Sequence, residues 1–196
     1  MKLIVSYTSP YARKCRILVE ELALTDTVEE IEAHPFDDGD VLLAANPLGR
    51  VPCLIGADGA PMTESLFITE VLIASADDPW THDWTTRRLE ALATGLIDLA
   101  VARRVEMVRD KQIYSDYWIK RREAGIARTL DVMESQADAF SGERSVEGLT
   151  AAIALDYLDF RYSESNWRAD HPKLTALHER WNERESFQKT KPPADG

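Results

Sequence analysis

Apolar and polar positions change rhythm once along this chain, near Ala76 to Thr85 (ADDPWTHDWT). Before that point short apolar runs alternate with amphipathic stretches; after it every segment has helical spacing. Leu3 to Tyr7 is a continuous apolar run of the kind a buried strand shows. Pro10 opens a helix predicted to run to about Leu24, because proline in the first helical turn forfeits no N–H bond. Val28 to Ala33 reads as a weaker strand with acids interspersed, and residues 38–45 as a short, irregular helix. Val51 to Ile55 and Ala60 to Thr63 form a hairpin around Asp58-Gly59, a dipeptide suited to tight turns. Ser65 to Ser75 closes this half as a further helix.

The order β-α-β-α-β-β-α predicts an α/β domain of thioredoxin-like arrangement, whose first crossover is expected to be right-handed. The rest reads as an all-α domain. From Thr86 to about Arg109, Leu89, Leu92, Ala93, Leu96 and Ala100 mark one apolar stripe. Ile97, Val101, Val105 and Val108 mark a second, as expected of a helix that is either central or shared between the domain core and a subunit interface. Arg103 continues the first stripe, so that either the stripe opens into a cleft there or the side chain snorkels at the helix end. Further helices are expected at about 115–140, 149–161 and 172–185, with Thr150 capping the second and Pro172 opening the last. The tail KTKPPADG is expected to fray. The domain expectation is therefore 1–76, a linker at 77–85, and a helical domain over 86–196.

Composition narrows the partners. The chain has 196 residues, 44% hydrophobic and 29% charged, which is globular rather than disordered. A formal net charge of −11 repels phosphate backbones and argues against nucleic acid as a partner. The basic clusters Arg103-Arg104 and Lys120-Arg121-Arg122 lie among acids and read as solvated helix faces. Cys15 and Cys53 fall in apolar runs and make no C-x-x-C pair, and the four histidines lack metal-ligand spacing, so no metal is expected. No apolar stretch reaches membrane-span length, and the start MKLIVSYTSP is too short for a signal-peptide core. The expectation is a cytoplasmic protein without a membrane partner.

The chemistry concentrates in three segments. In Thr8-Ser9-Pro10-Tyr11-Ala12 a hydroxyl stands where helix amides and the dipole favour negative charge. A thiolate beside it would be stabilised; the plain alternative is that Ser9 is an N-cap, and the two roles are compatible. In Asn46-Pro47-Leu48-Gly49-Arg50-Val51-Pro52, a cis bond before Pro52 would turn the Val51 N–H and C=O outward to pair with a peptide-like ligand. The alternative there is an ordinary tight turn. Glu64-Ser65, at the head of a helix, suits an amino-acid head group, or simply caps the helix.

Taken together, S-P-Y-A, N-P-L-G-R-V-P and E-S, in that order, resemble the glutathione S-transferase family. The resemblance extends over T-A-A-I-A-L-D-Y-L-D-F-R and H-P-K-L…W-N-E-R-E-S-F-Q-K-T, and so over essentially the whole chain. S-P-Y-A is also similar to the glutaredoxin C-P-Y-C, with serine where the nucleophilic cysteine would be. The resemblance implies that Ser9 donates a hydrogen bond to the glutathione sulfur, with Thr8 as runner-up. It implies that Val51, before a cis-Pro52, pairs with the cysteinyl backbone, and that Glu64 and Ser65 bind the γ-glutamyl head. Tyr11 would lie near the tripeptide or line an electrophile pocket, to which Arg103 or Glu106 would contribute. A homodimer and a small-molecule electrophile are the implied partners, and glutathione the co-substrate.

Two departures accompany this. The family commonly holds the glycine carboxylate with a lysine, and none occurs between Lys14 and Lys111; His34, Arg50 or Arg13 would have to substitute. Thr150 is followed three residues later by Ile153 instead of an aspartate, which weakens the expected capping box. The function expected is conjugation of glutathione to small hydrophobic electrophiles. The alternatives are a non-enzymatic ligand- or protein-binding module and a glutathione-dependent thiol reductase.

Overall fold

A computed structural model of the chain describes residues 1–194. By contact it divides into two compact units, Met1–Trp80 together with the segment from Arg184 onward, and Thr81–Glu183.

The first unit is built on β1 (Lys2–Val5), α1 (Pro10–Glu21), β2 (Glu29–Glu32), α2 (Asp40–Ala45), β3 (Cys53–Ile55), β4 (Pro61–Thr63) and α3 (Ser65–Ala74). This is the thioredoxin-like βαβαββα order that the sequence predicts. The sheet runs β2-β1-β3-β4, with β1 parallel to β2 and antiparallel to β3, and β3 antiparallel to β4. The continuous apolar run of β1 is explained by burial on both faces: Leu3, Ile4 and Val5 are all inaccessible to solvent. Ile4 and Cys53 pack with Leu42 of α2, and the pleat turns Leu3, Val5 and Leu54 to the opposite face. β2 is an exposed edge, which is why its acids are tolerated. Helix α1 ends at Glu21, earlier than the expected Leu24, because Ala23 turns to φ +54°. Residues Arg184 onward contribute α9 (Glu185–Lys189), which packs on α1.

The second unit is helical: α4 (Trp84–Met107), α5 (Asp116–Ser135), a 3-10 turn at Ala137–Phe140, α6 (Val146–Arg161), α7 (Trp167–Asp170) and α8 (Pro172–Asn182). Helix α4 packs on both α5 and α6, and α6 on α8. Its first stripe is core, with Leu89, Ala93, Leu96 and Ala100 buried, whereas Val105 and Val108 of the second are exposed. Helix α6 starts three residues before the expected 149. Its cap is Ser145, which accepts the Gly148 amide at 2.8 Å, and not Thr150. Thr150 is buried inside the helix and donates to the Val146 carbonyl. Asp156 and His178 (3.0 Å), with Asp159 bonded to Trp167 and Arg168, tie α6, α7 and α8 together. No helix among the described residues is long and apolar enough to cross a membrane.

Candidate functional site

The sheet register brings the three chemistry-bearing segments of the first unit to one end. β1 runs toward Val5 and on to Ser9. β3 begins there, since Cys53 lies opposite Ile4, and β4 ends there, since Thr63 lies opposite Cys53. Ser9, Val51-Pro52 and Glu64-Ser65 therefore flank the carboxyl end of β1, where open sheets with crossover helices present ligand sites.

Ser9 is the N-cap of α1 in extended conformation (φ −81°, ψ 121°), and its Oγ accepts the Ala12 amide at 3.3 Å. The bond is long for an N–H···O contact. The hydroxyl is half-buried and retains its own proton for donation. Beside it, the Ser6 and Thr8 hydroxyls share a hydrogen bond of 3.3 Å, which engages Thr8. Tyr11 is half-buried in the first turn of the same helix.

The loop before β3 is shaped by Asn46, a buried residue that the motif contained but whose role sequence reasoning missed. Its Nδ2 donates to the Arg50 carbonyl (2.8 Å) and its Oδ1 accepts the Leu48 amide (3.1 Å). Such an Asx turn is the readable signal, and Gly49 supplies the φ of +61° that the turn needs. The Val51–Pro52 peptide is cis. Among the described residues neither the Val51 N–H nor its C=O has a hydrogen-bond partner. Val51 is half-buried and Pro52 buried.

Glu64 adopts φ +65°, ψ 125°, a conformation rare for a residue with a side chain. Residues held there concentrate at ligand sites, because the surroundings must enforce them. Ser65, 6% exposed, opens α3, and its N–H is one of the helix-terminal donors that lack an intrahelical acceptor. Its hydroxyl takes no partner among the described residues. The Glu64 carboxylate is exposed and lies 3.9 Å from Arg50, also exposed, a loose surface pair that leaves both groups available.

The candidates for a carboxylate-binding cation separate clearly. Arg13 is 3% exposed, and its guanidinium donates to the Phe187 carbonyl (3.1 Å) and to the Thr190 hydroxyl (3.4 Å). It also stacks on the Phe187 ring at 4.3 Å, so it is committed to the C-terminal segment. Exposed His34 faces Asp37 at 3.5 Å, and Arg50 stands next to Val51. In the second unit, the expected pocket residues Arg103 and Glu106 are engaged in helix packing. Arg103 pairs with Glu123 (2.6 Å) and stacks on Tyr162 (4.0 Å), so its largely covered guanidinium is taken up by packing within the helical unit. The Glu123 hydrogen bond raises its pKa against the effect of burial. Glu106, 5% exposed, accepts the Ser115 amide (2.8 Å) and faces Arg109 and Arg122.

Asp156, Asp159 and His178 offer ligand atoms within 4.8 Å of one another. The Arg168 guanidinium already bridges Asp159 and His178, so the cation of this cluster is an arginine. Cys15 and Cys53 are both fully buried, and desolvation pushes the Cys53 thiol pKa up, opposite to what a nucleophile needs.

Residues 8–75 match the family described as "Glutathione S-transferase, N-terminal domain". An uncharacterised GST-like protein of Escherichia coli (strain K12), YibF, is 36% identical over 203 aligned positions, which cover 98% of this chain and 99% of that protein. A solved glutathione transferase family member from Pseudomonas fluorescens Pf-5, with bound glutathione, superposes with a TM-score of 0.93 at 30% identity, covering 98% of each chain. A glutathione S-transferase from Methylobacillus flagellatus KT, also with glutathione bound, gives a TM-score of 0.90 at 30% identity, over 98% of this chain and 99% of that one.

Proposed function

The chain belongs to the glutathione S-transferase family, and we propose that it binds glutathione on its first unit and conjugates the thiolate to small hydrophobic electrophiles. The observation that carries this reading is the conformation of Glu64. Its left-handed backbone presents the Ser65 N–H and hydroxyl, together with an exposed carboxylate, as a receptor for an α-amino acid head group. The glutathione seen in the Pseudomonas and Methylobacillus relatives has such a head in its γ-glutamyl residue. From that anchor the roles follow in order. The Val51 N–H and C=O pair with the cysteinyl backbone by strand-like addition. Ser9 donates to the sulfur, whose negative charge the N-terminus of α1 favours. Arg50, close to the peptide-binding backbone, takes the glycine carboxylate in place of the family's lysine, since Arg13 is already committed.

Catalysis is then mostly placement. The Ser9 hydroxyl and the amides of the first turn keep the sulfur ionised near neutral pH and hold it in one position for the electrophile. The protein forms no covalent bond of its own. Buried cysteines and a serine in place of the reductase nucleophile argue against thiol reduction. A homodimer is part of the proposal. Between α4 and α5 lies a groove of about 550 Å³, lined by half-buried Leu92 and Leu99 and exposed Trp118 and Val132, with Arg121 and Arg128 at its edge. Neither arginine has an acidic partner among the described residues, in a chain of net charge −11, so a second acidic copy complements the groove.

The test is conjugation of glutathione to an activated chloronitroarene. Turnover above the buffer rate supports the enzyme; saturable glutathione binding without turnover favours the non-enzymatic binding module.

A further inference from the structure

The C-terminal segment is joined to α1 by a set of polar contacts that does more than cover a helix. Arg13 reaches the Phe187 carbonyl and the Thr190 hydroxyl, and Arg16 donates to the Thr190 carbonyl at 3.3 Å. These are groups at the end of α9, where helix carbonyls lack internal partners and guanidinium groups are favoured. At its start Arg184 pairs with Glu21 at 2.8 Å and Ser186 bonds the same carboxylate, and at its last residue Lys189 meets Glu20 at 3.1 Å. Phe187 is fully buried, with Thr190 at 2% exposure and Ser186 at 5%. Residues more than 160 positions apart in sequence thus form one layer.

The clasp acts on the turn that carries Ser9. The Arg13 amide donates to the Ser9 carbonyl at 2.9 Å, closing the first turn of α1, while its side chain is held by α9. The cap bond within that turn, Ala12 N–H to Ser9 Oγ, is long at 3.3 Å and holds the turn only weakly. When the hydroxyl also donates to a ligand, its direction is set by whatever fixes the turn. Pro10 fixes one dihedral; the buried Arg13 fixes the far side.

We propose that the segment Arg184–Thr190 is a clasp that sets the first turn of α1, with Arg13 as the positioning residue through which it orients the Ser9 hydroxyl. The role in orienting a thiolate rests on the proposed glutathione site; the clasp itself does not. Arg13 touches no reacting atom in this scheme and is not a catalytic residue.

The experiment uses the full chain and two variants. Arg13→Lys keeps the charge but cannot reach both acceptors, and Thr190→Val, the milder change, removes one acceptor with little change of shape. Amide hydrogen exchange is followed at Ala12 and Arg13, with β1 and α6 as internal references. The clasp predicts exchange roughly tenfold faster at those two amides, a change of about 1.4 kcal/mol in local opening, with the references unchanged. In the same proteins the ultraviolet absorbance of bound glutathione thiolate is titrated with pH. Its midpoint should rise in both variants, while the glutathione Kd changes by less than about threefold, or under 0.7 kcal/mol. Unchanged exchange at Ala12 and Arg13 in a folded variant overturns the clasp. Faster exchange with an unmoved midpoint overturns the orienting role. If the wild type binds no glutathione, the proposed function fails, and the exchange data still decide the clasp. Should Arg13→Lys not fold, Thr190→Val carries the same comparison.

Discussion

The Ser9 hydroxyl accepts the Ala12 amide and keeps its own proton to give, so the cap of α1 and the sulfur contact proposed above use different faces of one oxygen. A donated amide on Oγ also makes its O–H a better donor. Ser9→Ala removes both. Conjugation should fall by about a hundredfold, the scale of losing one donor to a developing anion. Glutathione affinity should fall far less, and stability by about 1 kcal/mol from the lost cap. Steady-state rates set beside calorimetric Kd values check this; equal loss of rate and affinity would make Ser9 a binding residue only.

Gly148 occupies the third position of α6, where a capping box would carry an acid, and the structure leaves no room for one. A Cβ there would stand 2.4 Å from the Phe140 carbonyl and 2.8 Å from Ser145 Oγ. Gly148→Ala should therefore destabilise by about 1–3 kcal/mol despite alanine's helix propensity, the usual scale of overpacking. Ser145→Ala should cost about 1 kcal/mol as an ordinary cap deletion. Denaturant unfolding of the two variants gives both numbers, and a stabilised Gly148→Ala would refute the packing.

At the start of α4, Asp83 accepts the Thr85 amide at 2.8 Å and the Thr86 amide at 3.0 Å. The bond from Thr86, first among the causes, holds its carboxyl pKa below the usual value. A depressed folded pKa means stability that is present above the unfolded value, near 4, and lost as pH falls through the folded one. Asp83→Asn keeps an acceptor without the charge. Thermal melts from pH 6 to pH 2 should show the wild type losing more than the variant in the acid range. Parallel curves would contradict the cap's charge dependence.

How much of this was readable beforehand depends on whether the determining physics is local. The βαβαββα order, Ser9 as a cap and Pro172 opening α8 follow from periodicity and single-residue rules, and each is present. The start of α6 was misplaced because Thr150 heads the apolar run T-A-A-I, whereas burial carries the helix back through Gly148 to Ser145. Helix α9 has five residues, too few to nucleate alone, and exists through its contacts with α1. The same holds for side-chain partners. Arg13, Arg103 and Glu106 looked available in sequence, and only the tertiary structure assigns them to Phe187, Glu123 and Ser115. The positive φ of Glu64 has no sequence signature, because glycine is the residue that usually marks such a turn.

The groove between α4 and α5 makes a prediction about assembly. Arg121 and Arg128 are two helical turns apart on one face of α5. Reversing both to glutamate opposes an acidic partner at the groove while leaving the apolar floor intact. Sedimentation velocity should find the wild type dimeric and Arg121→Glu/Arg128→Glu shifted at least tenfold toward monomer, about 1.4 kcal/mol. A double variant that dimerises like the wild type would place the interface elsewhere.

The central claim, that the head of α3 and the loop before β3 together receive glutathione, is tested most directly by titration calorimetry of glutathione into the wild type and into Glu64→Ala/Ser65→Ala. Saturable binding in the wild type, reduced at least a hundredfold in the variant (about 2.7 kcal/mol), is the predicted result. Equal affinity in the two proteins, or no binding to either at millimolar glutathione, would contradict it.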